Sequence, residues 1–379
     1  MCLRTATLYG ESPEDIMSGI SSSVLRNPTL GFVFSSISLD ISDLSDQLSA
    51  IPFPIIGCST AGGILPGMNE NPITEHSAVG CLLDPNPAAF QVQLFELGDL
   101  SSFTLGESIG KWGREQFKNP IFFIFTSGLG TDVEQILEGI HESIPGQTRI
   151  FGGLAGRVDR QEIPYVFTNG SCSSEGVAVL LLDESAFEIH GIMTSRWHPI
   201  GPEMIVTRSD HTKVYAIDDQ PAVDFYSRFL QITDQEITDH TAAFPLMVKR
   251  KDGTEFIRSP IGVDWDHRAL IFGGSVTEGS VVRIASSRYK GSYSSRTVDI
   301  SHSYKEIQNA HLLLLFSSLE GHNSSCSAVE DQINTAYQAG TAPLIGFISS
   351  AGIGVNDNDR CEFHSENFSL VTLRQRRRR

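Results

Sequence analysis

One pattern recurs three times along the chain and fixes most of what it can fold into. An apolar strand ends in small residues, a helix follows, a second apolar strand runs into a Gly/Ser/Ala-rich turn, and a further strand comes after it. The first copy reads Leu30-Gly31-Phe32-Val33-Phe34-Ser35-Ser36, a helix from about Asp40, the turn Gly57-Cys58-Ser59-Thr60-Ala61-Gly62-Gly63, and a strand over 77–83. The second has a strand over 121–125, a helix from Asp132, the turn Gly152-Gly153-Leu154-Ala155-Gly156, and strands near 165–168 and 176–182. The third has a strand over 312–316, a helix from Ala328, the turn Gly346-Phe347-Ile348-Ser349-Ser350-Ala351-Gly352, and a last strand over 368–373. These strands are short and nearly continuous in apolar residues, as strands buried on both faces are. The segment 90–97 alternates apolar and polar residues instead, which marks a half-exposed antiparallel strand and makes the sheets mixed. The fold class is therefore α/β: mixed β-sheets flanked by helices, built from repeated β-α-β-β units.

The helices carry their own signals. Ile41, Leu44, Leu48 and Ile51 recur at helical spacing, as do Val133, Ile136, Leu137 and Ile140. Thr131-x-x-Glu134 and Ser327-x-x-Glu330 have the spacing of a capping box. Gly340 and Pro343 stop the third helix. Between the second and third copies lies a different stretch, roughly 195–300. It includes Trp197-His198-Pro199-Ile200-Gly201, a helix over 221–230 opened by Pro221, and a hairpin turn at 250–254.

Charge narrows the function classes. The chain has 28 Lys+Arg against 45 Asp+Glu, a net −17, and five of those cations sit in the run 374–379. The rest of the chain holds 23 cations against 45 anions, or −22, and repels a phosphate backbone, so a nucleic-acid partner is not expected. No window of eighteen uninterrupted apolar residues exists, so no membrane partner is expected, and the start lacks a secretory pattern. Six scattered cysteines without paired spacing read as reduced thiols, and the expected location is cytoplasmic. The Asn-x-Ser triplets at Asn169, Asn323 and Asn367 are then chance matches.

In these residues the chain resembles the FIST family, in which an N-terminal and a C-terminal FIST region occur in tandem. The segments that carry the resemblance are Ile56 to Gly62, Phe151 to Gly156, Trp197-x-Pro199-x-Gly201 with Val206-Thr207-Arg208, Asp218-x-x-Pro221-Ala222 with Tyr226, and Gly346-Phe347. It spans about 29–373, and the chain is expected to have four parts: a segment over 1–28 with a short helix, a FIST N-terminal-like domain over 29–200, a FIST C-terminal-like domain over 201–373, and a basic disordered tail over 374–379. The family pattern has Glu after the glycine of both terminal signatures, where this chain has Gly63 and Gly352. The resemblance implies a sensory, small-ligand-binding protein of signal transduction, with amino acids or similar metabolites as ligands. The glycines at 63 and 352 and the cation at Arg157 add organic acids and phosphorylated metabolites to the expected ligands, and action through a separate signalling protein is expected.

The candidate ligand-binding residues are Gly57, Cys58, Ser59, Thr60, Gly152, Gly153, Arg157, Ser349 and Ser350. Small residues at strand ends let a ligand approach backbone N–H groups, which form nests for anions. At least two of the three turns are expected to border one concave pocket. Arg157 directly follows the middle turn and offers a guanidinium to a carboxylate or phosphate. No catalytic residue, metal ligand or cofactor is assigned. A Walker A loop and a Gly-x-Ser-x-Gly elbow are both missing. Two other functions are weighed: a thiol- or hydroxyl-dependent hydrolase centred on Cys58, Ser59 and Thr60, and a haem-based gas sensor using His198. His322, Cys326, Cys361 and His364 are zinc-type residues whose spacing fits no standard framework.

Overall fold

The computed structural model describes residues 3–68, 70–144, 146, 148–156, 162–194, 197–249, 253, 255–286, 304–318, 326–349, 351–355, 361–365 and 368–376. The chain is α/β, with mixed sheets flanked by helices. Among the described residues, three copies of one module account for the strands and helices outside one insertion.

The first module runs β1 (Thr5–Gly10), α1 (Pro13–Ser21), β2 (Leu30–Ser36), α2 (Ile41–Leu48), β3 (Ile55–Thr60), a hairpin of β4 (Gly63–Ile64) and β5 (Ile73–Thr74), and β6 (Ala78–Leu83). The second runs β7 (Phe90–Glu96), α3 (Ser102–Gln116), β8 (Pro120–Thr126), α4 (Val133–Ser143), β9 (Arg149–Leu154), a hairpin of β10 (Val166–Thr168) and β11 (Ser171–Ser173), and β12 (Gly176–Asp183). The third opens with β13 (Phe187–Thr194) and is then interrupted.

The insertion holds β14 (His198–Asp210), β15 (Lys213–Ile217), β16 (Gln220–Pro221), α5 (Ala222–Leu230), α6 (Ile237–His240), β17 (Leu246–Lys249), β18 (Glu255–Arg258), β19 (Pro260–Asp264), β20 (Ala269–Phe272) and β21 (Val281–Ser286). The third module resumes with α7 (Tyr304–Asn309), β22 (Leu312–Ser318), α8 (Cys326–Gln338), β23 (Leu344–Ser349), the hairpin β24 (Ala351–Val355) and β25 (Cys361–Ser365), and β26 (Phe368–Gln375). Arg374 and Arg376, from the basic C-terminal run, hydrogen-bond to the Glu188 carboxylate and to the Glu184 and Phe187 carbonyls. Residues 377–379 lie outside the described ones.

Each module builds one sheet around a parallel pair, β2–β3, β8–β9 and β22–β23. Its hairpin leaves to complete another sheet. The second module's β10 pairs with β3, the third module's β24 pairs with β9, and the first module's β4 pairs with β23. The exchange is cyclic, so the three sheets close into a ring. Their inner faces share one core, in which Phe32, Phe34, Phe123, Phe125, Phe151, Phe316 and Phe347 are buried together. The outer face of each sheet packs on its own helices. Each outer cluster also holds a residue of the incoming hairpin: Phe167 in the first, Phe363 in the second and Ile64 in the third.

The insertion is a separate antiparallel sheet with its own core, where Val206, Val214, Leu246, Leu270 and Ile284 pack against Val223, Phe225 and Tyr226 of α5. Among the described residues no apolar cluster draws on both the insertion and the ring.

One helix start differs from the sequence reading. Asp132, not Thr131, caps α4, accepting from the Gln135 N–H at 3.2 Å, while the Thr131 hydroxyl meets that of Thr126. An Asp directly after Thr131 is at least as good a cap, and Glu134 is drawn away to a buried arginine. The Ser327 side chain lies outside the described residues. Asn169, in the β10–β11 turn, uses its amide to hold the loop before β3: Oδ1 accepts from Ile55 N–H at 2.6 Å, and Nδ2 reaches the Leu48 and Phe53 carbonyls.

Candidate functional site

The three Gly-rich segments meet, and each begins inside a strand, not in the turn expected: Gly57 to Thr60 end β3, Gly152 to Leu154 end β9 and Gly346 to Ser349 end β23, with the turn proper following. Gly57, Gly152 and Gly346 are equivalent, paired in parallel register with Val33, Ile124 and Leu315. A Cβ on any of them would lie 1.9 Å from the carbonyl oxygen of that partner. Glycine is required at these places by close backbone approach, so Gly57 and Gly152 shape the sheet whatever else they do. Gly153 stands opposite Gly352 across the exchanged pairing.

Three residues after each glycine come Thr60, Ala155 and Ser349, at the carboxyl ends of the parallel strands. The Thr60 hydroxyl lies 3.0 Å from the Ile348 carbonyl of the third module, and the Ser349 hydroxyl lies 2.7 Å from the Leu154 carbonyl of the second. Ala155 has no hydroxyl to continue the series. There the Gly156 N–H donates to the Ser59 carbonyl at 2.8 Å, and the Ser59 hydroxyl donates to the Gly156 carbonyl at 3.1 Å. Each turn is thus fastened to the next, and the ring of turns closes. Arg157 and Ser350 lie outside the described residues.

Cys58 is fully buried among the core phenylalanines, and burial pushes its thiol well above the usual range. The Ser59 hydroxyl also accepts from Tyr165 N–H, and that of Thr60 accepts from Gly62 N–H. None of these three groups has an imidazole or carboxylate as hydrogen-bond partner among the described residues, which is what a hydrolytic reading requires. Cys361 is buried with its thiol 3.2 Å from the Ile150 carbonyl, while His322 and the side chains of Cys326 and His364 fall outside the described residues. His198 opens β14 across from Ser286. Gly63 pairs with Phe347, and a Cβ there would stand 2.9 Å from both Val79 methyls, so any side chain at this place has to displace Val79.

A second arrangement has no counterpart in the sequence reading. A cleft of about 430 Å³ lies between α4 and the insertion, lined by Glu134, Glu138, Asp210, His211, Ser275 and Glu278 among others. Asp132, the cap of α4, has its second carboxylate oxygen 2.6 Å from Nε2 of His211. Beside it Arg258, 1% exposed, pairs with Glu134, whose other oxygen accepts from Ser275 N–H at 2.6 Å. The guanidinium also donates to the Ser275, Ile257 and Phe363 carbonyls and lies 4.4 Å from the Phe256 ring centroid. The only sequence trace of this site is a charge inside Phe256-Ile257-Arg258, where a buried strand would otherwise continue apolar.

A three-module α/β ring carrying one inserted antiparallel sheet is the class defined so far. Two family models match in tandem, the FIST N domain over 29–220 and the FIST C domain over 222–354. The chain belongs to the FIST family. No curated relative matches the sequence. FIST domains are associated with sensory signal transduction. Among the described residues no helix is long and apolar enough to cross a membrane.

Proposed function

We propose that this chain is a sensory module of signal transduction that takes up a small metabolite where the three strand-end turns meet and acts through a separate signalling protein. The observation that carries this reading is the convergence of one Gly/Ser/Ala turn from each module at the carboxyl ends of the parallel pairs. In open α/β sheets ligands gather at such strand ends. Arg157, directly after the middle turn, adds a cation, so carboxylates and phosphates are favoured over amines.

The test is a thermal-shift titration with organic acids, amino acids and phosphorylated metabolites. A ligand that binds only the folded state at a hundred times its Kd adds about 2.7 kcal/mol of stability. An acid or phosphorylated compound is expected to raise Tm, and Arg157→Ala and Thr60→Val are each expected to weaken the response. If every compound leaves Tm unmoved, or the response ignores both variants, the reading fails. The carboxylates around the α4 cleft favour a different ligand, an amine. That reading predicts a diamine response lost in Glu138→Gln and unaffected by Arg157→Ala.

A further inference from the structure

We infer that the inserted sheet is a hinged unit on the ring, and that the pair of buried Arg258 with Glu134 is the latch that seats it. The inference does not depend on where a ligand binds. It rests on how the two units are joined. Each has a complete core of its own, and no described apolar cluster crosses between them. A polar joint between separately cored units leaves relative motion as the default.

The polar contacts described across this joint concentrate on one residue. Arg258 sits at the end of β18 in the insertion and touches two ring elements, Glu134 on α4 and the Phe363 carbonyl on β25. Those two elements come from different modules, because β25 belongs to the third module's hairpin exchanged onto the second module's sheet. Glu134 in turn holds the insertion's Ser275 N–H, so the carboxylate is gripped from both its oxygens by the insertion. The second bridge, His211 to Asp132, is half-exposed, with His211 in the lining of the same cleft. An exposed pair of that kind contributes little. Removing Glu134, by contrast, strands the charge of the buried Arg258 away from water. The seat is therefore all-or-none at Arg258, while the cores on either side do not depend on it.

The experiment is amide hydrogen exchange on the whole chain, comparing wild type with Glu134→Gln and Arg258→Met. Local opening raises exchange only in the segments that separate. Glu134→Gln keeps a carbonyl acceptor for Ser275 and changes no volume, so it reads the latch even if Arg258→Met folds poorly. Expected is an increase of about tenfold or more at 273–278, 209–212 and the first turn of α4, with β2, β8 and β22 in the ring and β15 in the insertion as slow as before. The double variant Glu134→Leu/Arg258→Met, which leaves no stranded charge, is expected to recover most of the joint's protection. Faster exchange spread evenly over both cores in Glu134→Gln would make the pair a general stabiliser and overturn the hinge. Unchanged exchange at the joint would overturn the latch.

Discussion

Gly57→Ala, Gly152→Ala and Gly346→Ala are each expected to destabilise the chain by about 3 kcal/mol or more, at the upper end of what single substitutions do. The new methyl would stand 1.9 Å from a backbone carbonyl oxygen in all three cases, and a carbonyl held in a strand pair cannot swing aside as a side chain end can. Gly152 adds a second reason, with φ at 140°, where an L side chain is strained. Gly262→Ala is the control. A Cβ there meets only Ile271, at 3.7 Å, and the change should fall within about 0.5 kcal/mol of wild type. Denaturant midpoints of the four variants make the comparison. A loss below about 1 kcal/mol at all three ring positions would mean the strands can part without penalty.

Phe34→Ala should cost about 3–5 kcal/mol, from lost burial plus the cavity it leaves. Its ring lies 5.5 Å from Phe125, 6.5 Å from Phe316 and 4.7 Å from Phe347, so it touches the second and third modules as well as serving its own. Offset and edge-on aromatic pairs add about 0.5–1.5 kcal/mol each beyond burial. Because the cavity would open between modules, the variant should lose protection in β8 and β22 together with β2. Hydrogen exchange resolved by segment distinguishes this from a defect confined to β2, which would show that the modules do not share one core.

The sequence made the repeated module readable because its strands are unbroken apolar runs and its helices have periodic faces. It concealed the exchange. A strand near 165–168 was legible and is β10, but β4, β5 and β11 are two or three residues long with no period to detect. Their pairing is set by a distant module, not by their neighbours. Thr60, Ser59 and Ser349 share a place at a strand end that the sequence shows, but the bonds that fasten each turn to the next follow from the exchange and were invisible without it. Thr131 and Asp132 are both good caps, and what separates them is that Glu134 answers to Arg258, a residue 124 positions away. Arg258 itself carried no motif. A lone charge in a strand is ordinarily solvated, and only the fold shows this one sealed between two units.

The cyclic exchange sets an order on synthesis. β4 leaves the ribosome long before its partner β23; the neighbouring Thr60–Ile348 contact joins residues 288 positions apart. Until then the first module holds a hairpin with no sheet to join, and β9 waits with an open edge for β24. Contacts this distant are slow to form, and waiting strand edges invite pairing with other chains. A nascent chain cut at 220, where the first family match ends, would carry both liabilities permanently. The ring has no first half that can stand by itself: it closes once, from the last strands emerging to the first.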